Sequence, residues 1–173
     1  MVELFSTIIA VGILLLGAFT LLALVLLLLK HPLISRISAY SNTLLRIVFV
    51  GAALGSMTYE LAVGYTPCLL CWYQRMAIFP IAILLFTADI RTSLLLRKQV
   101  LILGVLGLIV ALVHNYIDMV PNGLDICGAG PSCLLRYVNV FGFVTIPFMS
   151  AIVLISGIVF AVISKRYPHP SRI

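Results

Sequence analysis

Charge is the first thing this chain lacks: only 9% of its 173 residues are charged, and just five are acidic. Soluble domains carry roughly a quarter charged residues, so the sequence excludes a water-exposed globule. It has no glycine-rich phosphate loop, which argues against nucleotide binding of the common kinds. Signatures for haem, flavin or an iron–sulfur cluster are missing too, so no tightly held electron carrier is implied. Linkers, repeats and low-complexity tracts are also absent, and residues 1–173 read as a single domain.

Apolar sequence fills the space instead. Hydrophobic residues make up 63% of the chain and the mean hydropathy is +1.24, values that describe an integral membrane protein. Apolar runs near 4–29, 45–63, 69–88, 100–120 and 143–163 are each long enough to cross a hydrocarbon core, which takes about 20 residues. The first run carries Glu3 in place of an early basic cluster, is too long for a signal-peptide core and lacks a small-residue cleavage site; it reads as a retained helix. The expected architecture is all-α: a four-helix transmembrane bundle plus one extra N-terminal span, five in all.

Positive residues near span ends accumulate on the cytoplasmic side. Nine of them (Lys30, Arg36, Arg46, Arg91, Arg97, Lys98, Lys165, Arg166 and Arg172) fall on one face and two, Arg75 and Arg136, on the other. This predicts an N-terminus outside and a C-terminus inside. The net charge of +6 is then a topology signal facing anionic lipid, with no nucleic-acid partner implied. All four cysteines fall on the extracytoplasmic side, in two close pairs, where disulfides form and persist.

The first pair lies in Thr66-Pro67-Cys68-Leu69-Leu70-Cys71-Trp72-Tyr73-Gln74-Arg75. Thr66 is the expected N-cap and Pro67 the first helical residue, placing both cysteines in a first turn whose free N–H groups and dipole favour thiolate. Spacings of i, i+3 and i+7 put Cys68, Cys71 and Arg75 on one stripe, with Arg75 about 6 Å deeper than Cys71. Cys68 would face water and Cys71 the membrane, with Arg75 beside an anion at Cys71 or a ligand carbonyl. Other readings stand beside this one. The pair could be a structural staple, although so short a loop constrains little of the unfolded chain. Four thiolates could hold zinc, but an oxidising compartment opposes this. Arg75 could simply snorkel towards the headgroups.

The second pair, in Cys127-Gly128-Ala129-Gly130-Pro131-Ser132-Cys133, sits among residues that break regular structure and let the ends fold back. It reads as a mobile outer disulfide able to exchange with the helix-end pair, or as a loop staple. His114 is either a proton relay or hydrogen-bond donor to a reduced ligand, or an interfacial residue. Glu60, Asp118 and Asp125 read as solvated carboxylates. Gly51 and Gly55 have the spacing of close helix approach, read as packing within the bundle with dimerisation as the alternative, and Trp72 and Tyr73 suit an interfacial aromatic belt. Dithiol oxidation releases two electrons, and in a chain with no cofactor signature a lipid-soluble two-electron acceptor is the economical sink.

Cys68-Leu69-Leu70-Cys71-Trp72-Tyr73-Gln74-Arg75, the later short-spaced pair and Asn139-Val140-Phe141-Gly142-Phe143-Val144-Thr145-Ile146-Pro147 resemble the disulfide bond formation protein B family (DsbB), in its short-loop, BdbC-like branch. The resemblance covers roughly 44–165, a four-helix redox core, and leaves 1–43 as an appended helix and cytoplasmic loop with no counterpart. It implies a quinone reductase of the prokaryotic cell membrane that uses ubiquinone or menaquinone to reoxidise an extracytoplasmic DsbA- or BdbD-like thioredoxin-fold thiol oxidase. By the same resemblance Cys68, Cys71, Cys127 and Cys133 are catalytic, with Cys127 taking the mixed disulfide with the partner and Cys133 linking to Cys68. Cys71, Gln74, Arg75 and His114 are the expected quinone-side residues; no metal is expected, and the chain is taken to act as a monomer. A vitamin-K-epoxide-reductase-like enzyme is the alternative, set back because that family places its loop pair before the Cys-x-x-Cys. A non-catalytic membrane protein with structural disulfides or zinc is the other.

Overall fold

In the computed structural model, residues 2–90, 93–120 and 131–167 are described; Cys127, Asp125, Arg91 and Arg172 lie outside them. The described chain forms five helices, α1 (Val2–Leu28), α2 (Leu33–Leu61), α3 (Leu69–Thr87), α4 (Leu94–Met119) and α5 (Ile146–Arg166). Each is long and apolar enough to cross a membrane, so the protein is a multi-pass, all-α membrane protein. The only strand-like feature among the described residues is a two-residue bridge, Val140 with Val144.

α5 sits at the centre. In its most apolar window 61% of residues are buried, against 17% for α1, which lies at the periphery. Lipid is as apolar as leucine, so the helices associate through close contact and internal hydrogen bonds. Close contact comes from Gly107, where an added Cβ would meet the Ala77 Cβ at 2.7 Å and Leu154 at 3.1 Å, and from Gly157, where it would meet the Phe49 ring at 2.7 Å. Gly51 and Gly55 do not play the expected packing part. An added Cβ on Gly51 would meet nothing within 4 Å, and one on Gly55 only Ile9 at 3.9 Å, so neither position needs the absence of a side chain for its neighbours to approach.

Hydrogen bonds supply the rest, each worth roughly 0.6 kcal/mol in a bilayer. Thr20 and Ser156 hydroxyls pair at 2.8 Å, Ser41 and Ser164 at 2.7 Å, and the Tyr59 hydroxyl donates to Ser6 at 3.1 Å. α2 begins at Leu33, well before the apolar run at 45. Its polar first turns are bonded: Ser38 donates to the Tyr167 carbonyl at 2.7 Å, and the Asn42 carbonyl accepts the Ile90 N–H at 3.1 Å. Arg46 donates to the Leu85 carbonyl at 2.6 Å, satisfying one of the acceptors left open at the end of α3.

The alternation of helices puts the starts of α1, α3 and α5 and the ends of α2 and α4 at one end of the bundle. Two turns shape that end. Gly64, at φ +81°, carries the chain out of α2. Phe141 and Gly142, both at positive φ, make a tight turn closed by mutual bonds between Val140 and Val144 of 3.1 and 2.9 Å. Because the Ala77 methyl is fixed to its backbone, Gly107→Ala should cost about 1–3 kcal/mol of stability, read as a lowered thermal midpoint in detergent. Gly51→Ala should leave the midpoint unmoved; equal effects would refute this account of packing.

Candidate functional site

Local chain geometry builds the site first. Cys68, and not Thr66, is the N-cap of α3: its backbone is extended (φ −74°, ψ 172°) and its sulfur accepts the Cys71 N–H at 3.4 Å. Pro67 therefore precedes the helix, and Cys68 lies just outside the span while Cys71 is within its first turn. Both thiols are free, with sulfurs 3.0 Å apart. The hydrogen bond with Cys71 holds the Cys68 thiol well below its ordinary range; burial opposes this and His114 adds to it. Contrary to the expectation, Cys68 does not face water: it is 5% exposed because Ile117 and Cys133 pack over it, whereas Cys71 is only partly buried.

The remaining parts arrive from α4 and the segment before α5. Cys133 is buried and disulfide-bonded. The Cys68 sulfur, the His114 ring nitrogen and the Cys133 sulfur all lie within 4.8 Å of one another. His114 is buried, accepting the Gln74 side-chain amide at Nδ1 (3.0 Å), which leaves the ring proton on Nε2, 3.3 Å from the Cys133 carbonyl and 3.9 Å from the Cys68 sulfur. Gln74 thus orients His114. These three donor atoms have the spacing of a metal cluster, but a disulfide-bonded Cys133 is no thiolate, which leaves only two of them able to ligate.

Arg75 does not snorkel. It is 7% exposed, and α2 holds it: Nε donates to the Ser56 hydroxyl at 2.7 Å, Nη2 to the Ser56 carbonyl at 3.0 Å, and Nη1 to the Glu60 carboxylate. The Trp72 ring lies 5.1 Å from its guanidinium carbon. Glu60 is therefore not a free solvated carboxylate but the counter-charge of a buried arginine. Asp118 likewise pairs with Arg136. Ser56 and Glu60 were not among the expected site residues. Their signal was faint: an i, i+4 polar pair on the last apolar turns of α2, facing an arginine that needed a partner.

A cavity of about 440 Å³ opens beside these groups and is lined by Cys68, Cys71, Gln74, Arg75 and His114 at one end and by apolar residues of α1, α2 and α5 at the other. The structure thus brings together all the expected site residues except Cys127, which lies outside the described part. A stack of Tyr59, Tyr65 and Tyr137, with centroids 5.7 and 4.6 Å apart, borders the same cavity.

The sequence model described as Disulfide bond formation protein DsbB matches residues 38–164. The chain is 34% identical over 121 residues to disulfide bond formation protein C of Bacillus subtilis, covering 69% of this chain and 88% of that one. It is 31% identical over 123 residues to a probable disulfide formation protein of Oceanobacillus iheyensis (68% and 85%). It is also 35% identical over 115 residues to an SPbeta prophage-derived disulfide bond formation protein B of B. subtilis (65% and 78%). No solved structure matches.

Since a lowered thiol pKa keeps thiolate present as pH falls, Cys68 should alkylate at pH values below the ordinary thiol range of about 8.5. Cys71→Ala, which removes the largest lowering influence, should move the midpoint of that profile upward. Peptide-resolved mass spectrometry after brief alkylation across pH reads this, and an unmoved midpoint would refute the role given to the Cys71 hydrogen bond.

Proposed function

We infer the reaction from one premise: the chain belongs to the disulfide bond formation protein DsbB family and acts in thiol–disulfide oxidation at a membrane. On that premise we propose a protein-disulfide:quinone oxidoreductase that recharges an extracytoplasmic thioredoxin-fold thiol oxidase. The basic end of the bundle would face the cytoplasm and the cysteine end the exterior. The observation that carries the reading is the Cys68 sulfur, set between the Cys71 thiol and the disulfide-bonded Cys133.

The partner's dithiol would reduce the Cys127–Cys133 disulfide by exchange and itself leave as a disulfide. With the helix-end pair oxidised, a Cys133 thiolate attacks Cys68, forming the Cys68–Cys133 bond and releasing Cys71. Cys127 then attacks Cys133, the loop disulfide returns and Cys68 is released. Two electrons and two protons have moved to Cys68 and Cys71, and the free pair beside a disulfide-bonded Cys133 is the arrangement expected at this point. His114, with its proton on Nε2, stabilises negative charge on Cys68 as that sulfur leaves.

A bound quinone would supply the sink, accepting two electrons and two protons as the Cys68–Cys71 disulfide re-forms. The cavity fits one: it meets Cys71, is mainly apolar, and has Arg75 at its polar end. Of the five N–H donors on Arg75, three are bonded to Ser56 and Glu60, leaving one on each Nη for a carbonyl oxygen. Glu60 and Ser56 hold this fork in place, so less ordering cost falls on ligand binding.

Two outcomes are expected. The double variant Cys71→Ser/Cys127→Ser should trap a Cys68–Cys133 disulfide on mild oxidation, seen by peptide mapping; its absence would remove the proposed exchange route. Anaerobically, the wild-type protein should convert a reduced thioredoxin-fold dithiol and quinone into disulfide and quinol in equal amounts. Cys71→Ser should abolish this, and Arg75→Ala should raise the quinone KM about tenfold with little change for the dithiol, the loss of roughly one charge-assisted hydrogen bond. Quinol formed at the wild-type rate by Cys71→Ser would overturn the assignment.

A further inference from the structure

We propose that α1 frames a lateral portal in the bundle, through which the apolar tail of the acceptor passes from the sulfur site into lipid; this rests on the quinone reading above. The matched family segment begins at residue 38, so α1 lies outside it. Yet α1 is built into the site. The cavity that touches Cys71 and Arg75 extends to Gly12 and Leu16 of α1 and to Ile47 and Gly51 of α2.

α1 is fastened above and below this stretch and open in the middle. Towards the cysteine end, Ser6 accepts a hydrogen bond from Tyr59, and Phe5 packs edge-on against the same ring at 5.5 Å. Towards the other end, Thr20 bonds Ser156, and Gly17 lies close enough to α5 that an added Cβ would stand 3.5 Å from Ile152. Between these anchors the antiparallel helices meet at Ile9 and Gly55. One turn further along α1 and back along α2 come Gly12 and Gly51. An added Cβ on either would meet nothing within 4 Å, and both residues are exposed on the bundle surface. The cavity therefore extends to a stretch where neither helix has a side chain to close it.

The occupant follows from the two ends of the space. The inner end has thiols, a guanidinium and an amide, suited to a polar ring with carbonyl oxygens; the path to the gap is apolar. A molecule with a redox ring and a flexible hydrocarbon chain satisfies both at once, its ring at Cys71 and its chain passing between Gly12 and Gly51. An untailed ring would use only the inner end.

The test uses full-length protein and a binding readout. Trp72, the single tryptophan, lies beside Arg75, so quenching of its fluorescence reports occupancy next to the sulfurs. Two probes are titrated: a fully substituted dimethoxybenzoquinone with an isoprenoid tail, and the same ring with methyl in place of the tail. Gly12→Phe and Gly51→Phe should weaken the tailed quinone about tenfold, a loss of about 1.4 kcal/mol, and leave the methyl analogue within about twofold. Leu15→Phe, at a position 67% exposed on the outer face of α1, should change neither. Gly12→Val and Gly51→Val give the same contrast should the phenyl variants fail to fold. Equal losses for both probes, or an undiminished tailed affinity, overturn the portal alone. No quenching of wild-type protein by either probe overturns the quinone reading and the portal with it.

Discussion

The hydrogen bond from the Cys71 amide to the Cys68 sulfur joins reactivity to architecture. A helix start must satisfy its free N–H groups, and here the Cys68 sulfur does so. The same contact fixes where α3 begins, leaves Cys68 outside the span and Cys71 within it, and favours the thiolate form at the outer position. Because the capping atom is itself one sulfur of the pair, the two sulfurs are unequal before any partner arrives. Gln74, His114 and Cys133 then collect around the Cys68 sulfur, and the cavity opens beside both sulfurs.

A second constraint comes from solvent. In a bilayer an ionic side chain cannot rely on water, so Arg75 requires a protein partner. Ser56 and Glu60 provide it from the neighbouring helix, and they do so without consuming the whole guanidinium. The result is a fixed positive group at the polar end of an apolar cavity, held by α2 and α3 together. Shifting either helix would misplace it, which ties the geometry of the ligand space to bundle packing.

Much of this was legible in the chain. Five apolar runs gave five helices, and the Cys-x-x-Cys spacing with a following arginine marked the site, because hydropathy and helical periodicity are local properties. The errors lay where tertiary contacts decide. α2 starts at Leu33 because Ser38, Ser41 and Asn42 find partners on α5 and in the α3–α4 connection, contacts that no hydropathy window registers. The cap moved from Thr66 to Cys68 because the sulfur reaches the Cys71 amide. Glu60 looked idle because its partner is fifteen residues away across a turn. The glycines at 51 and 55 have the spacing of a packing motif, but Gly107 and Gly157 make the tight contacts. Spacing alone does not say what stands opposite.

That tight contact at Gly107 has a mechanical meaning. With the Ala77 methyl and the Leu154 side chain pressed against it, α3, α4 and α5 mesh like cogs, so the helices bearing Cys71 and His114 are held in fixed register with one another.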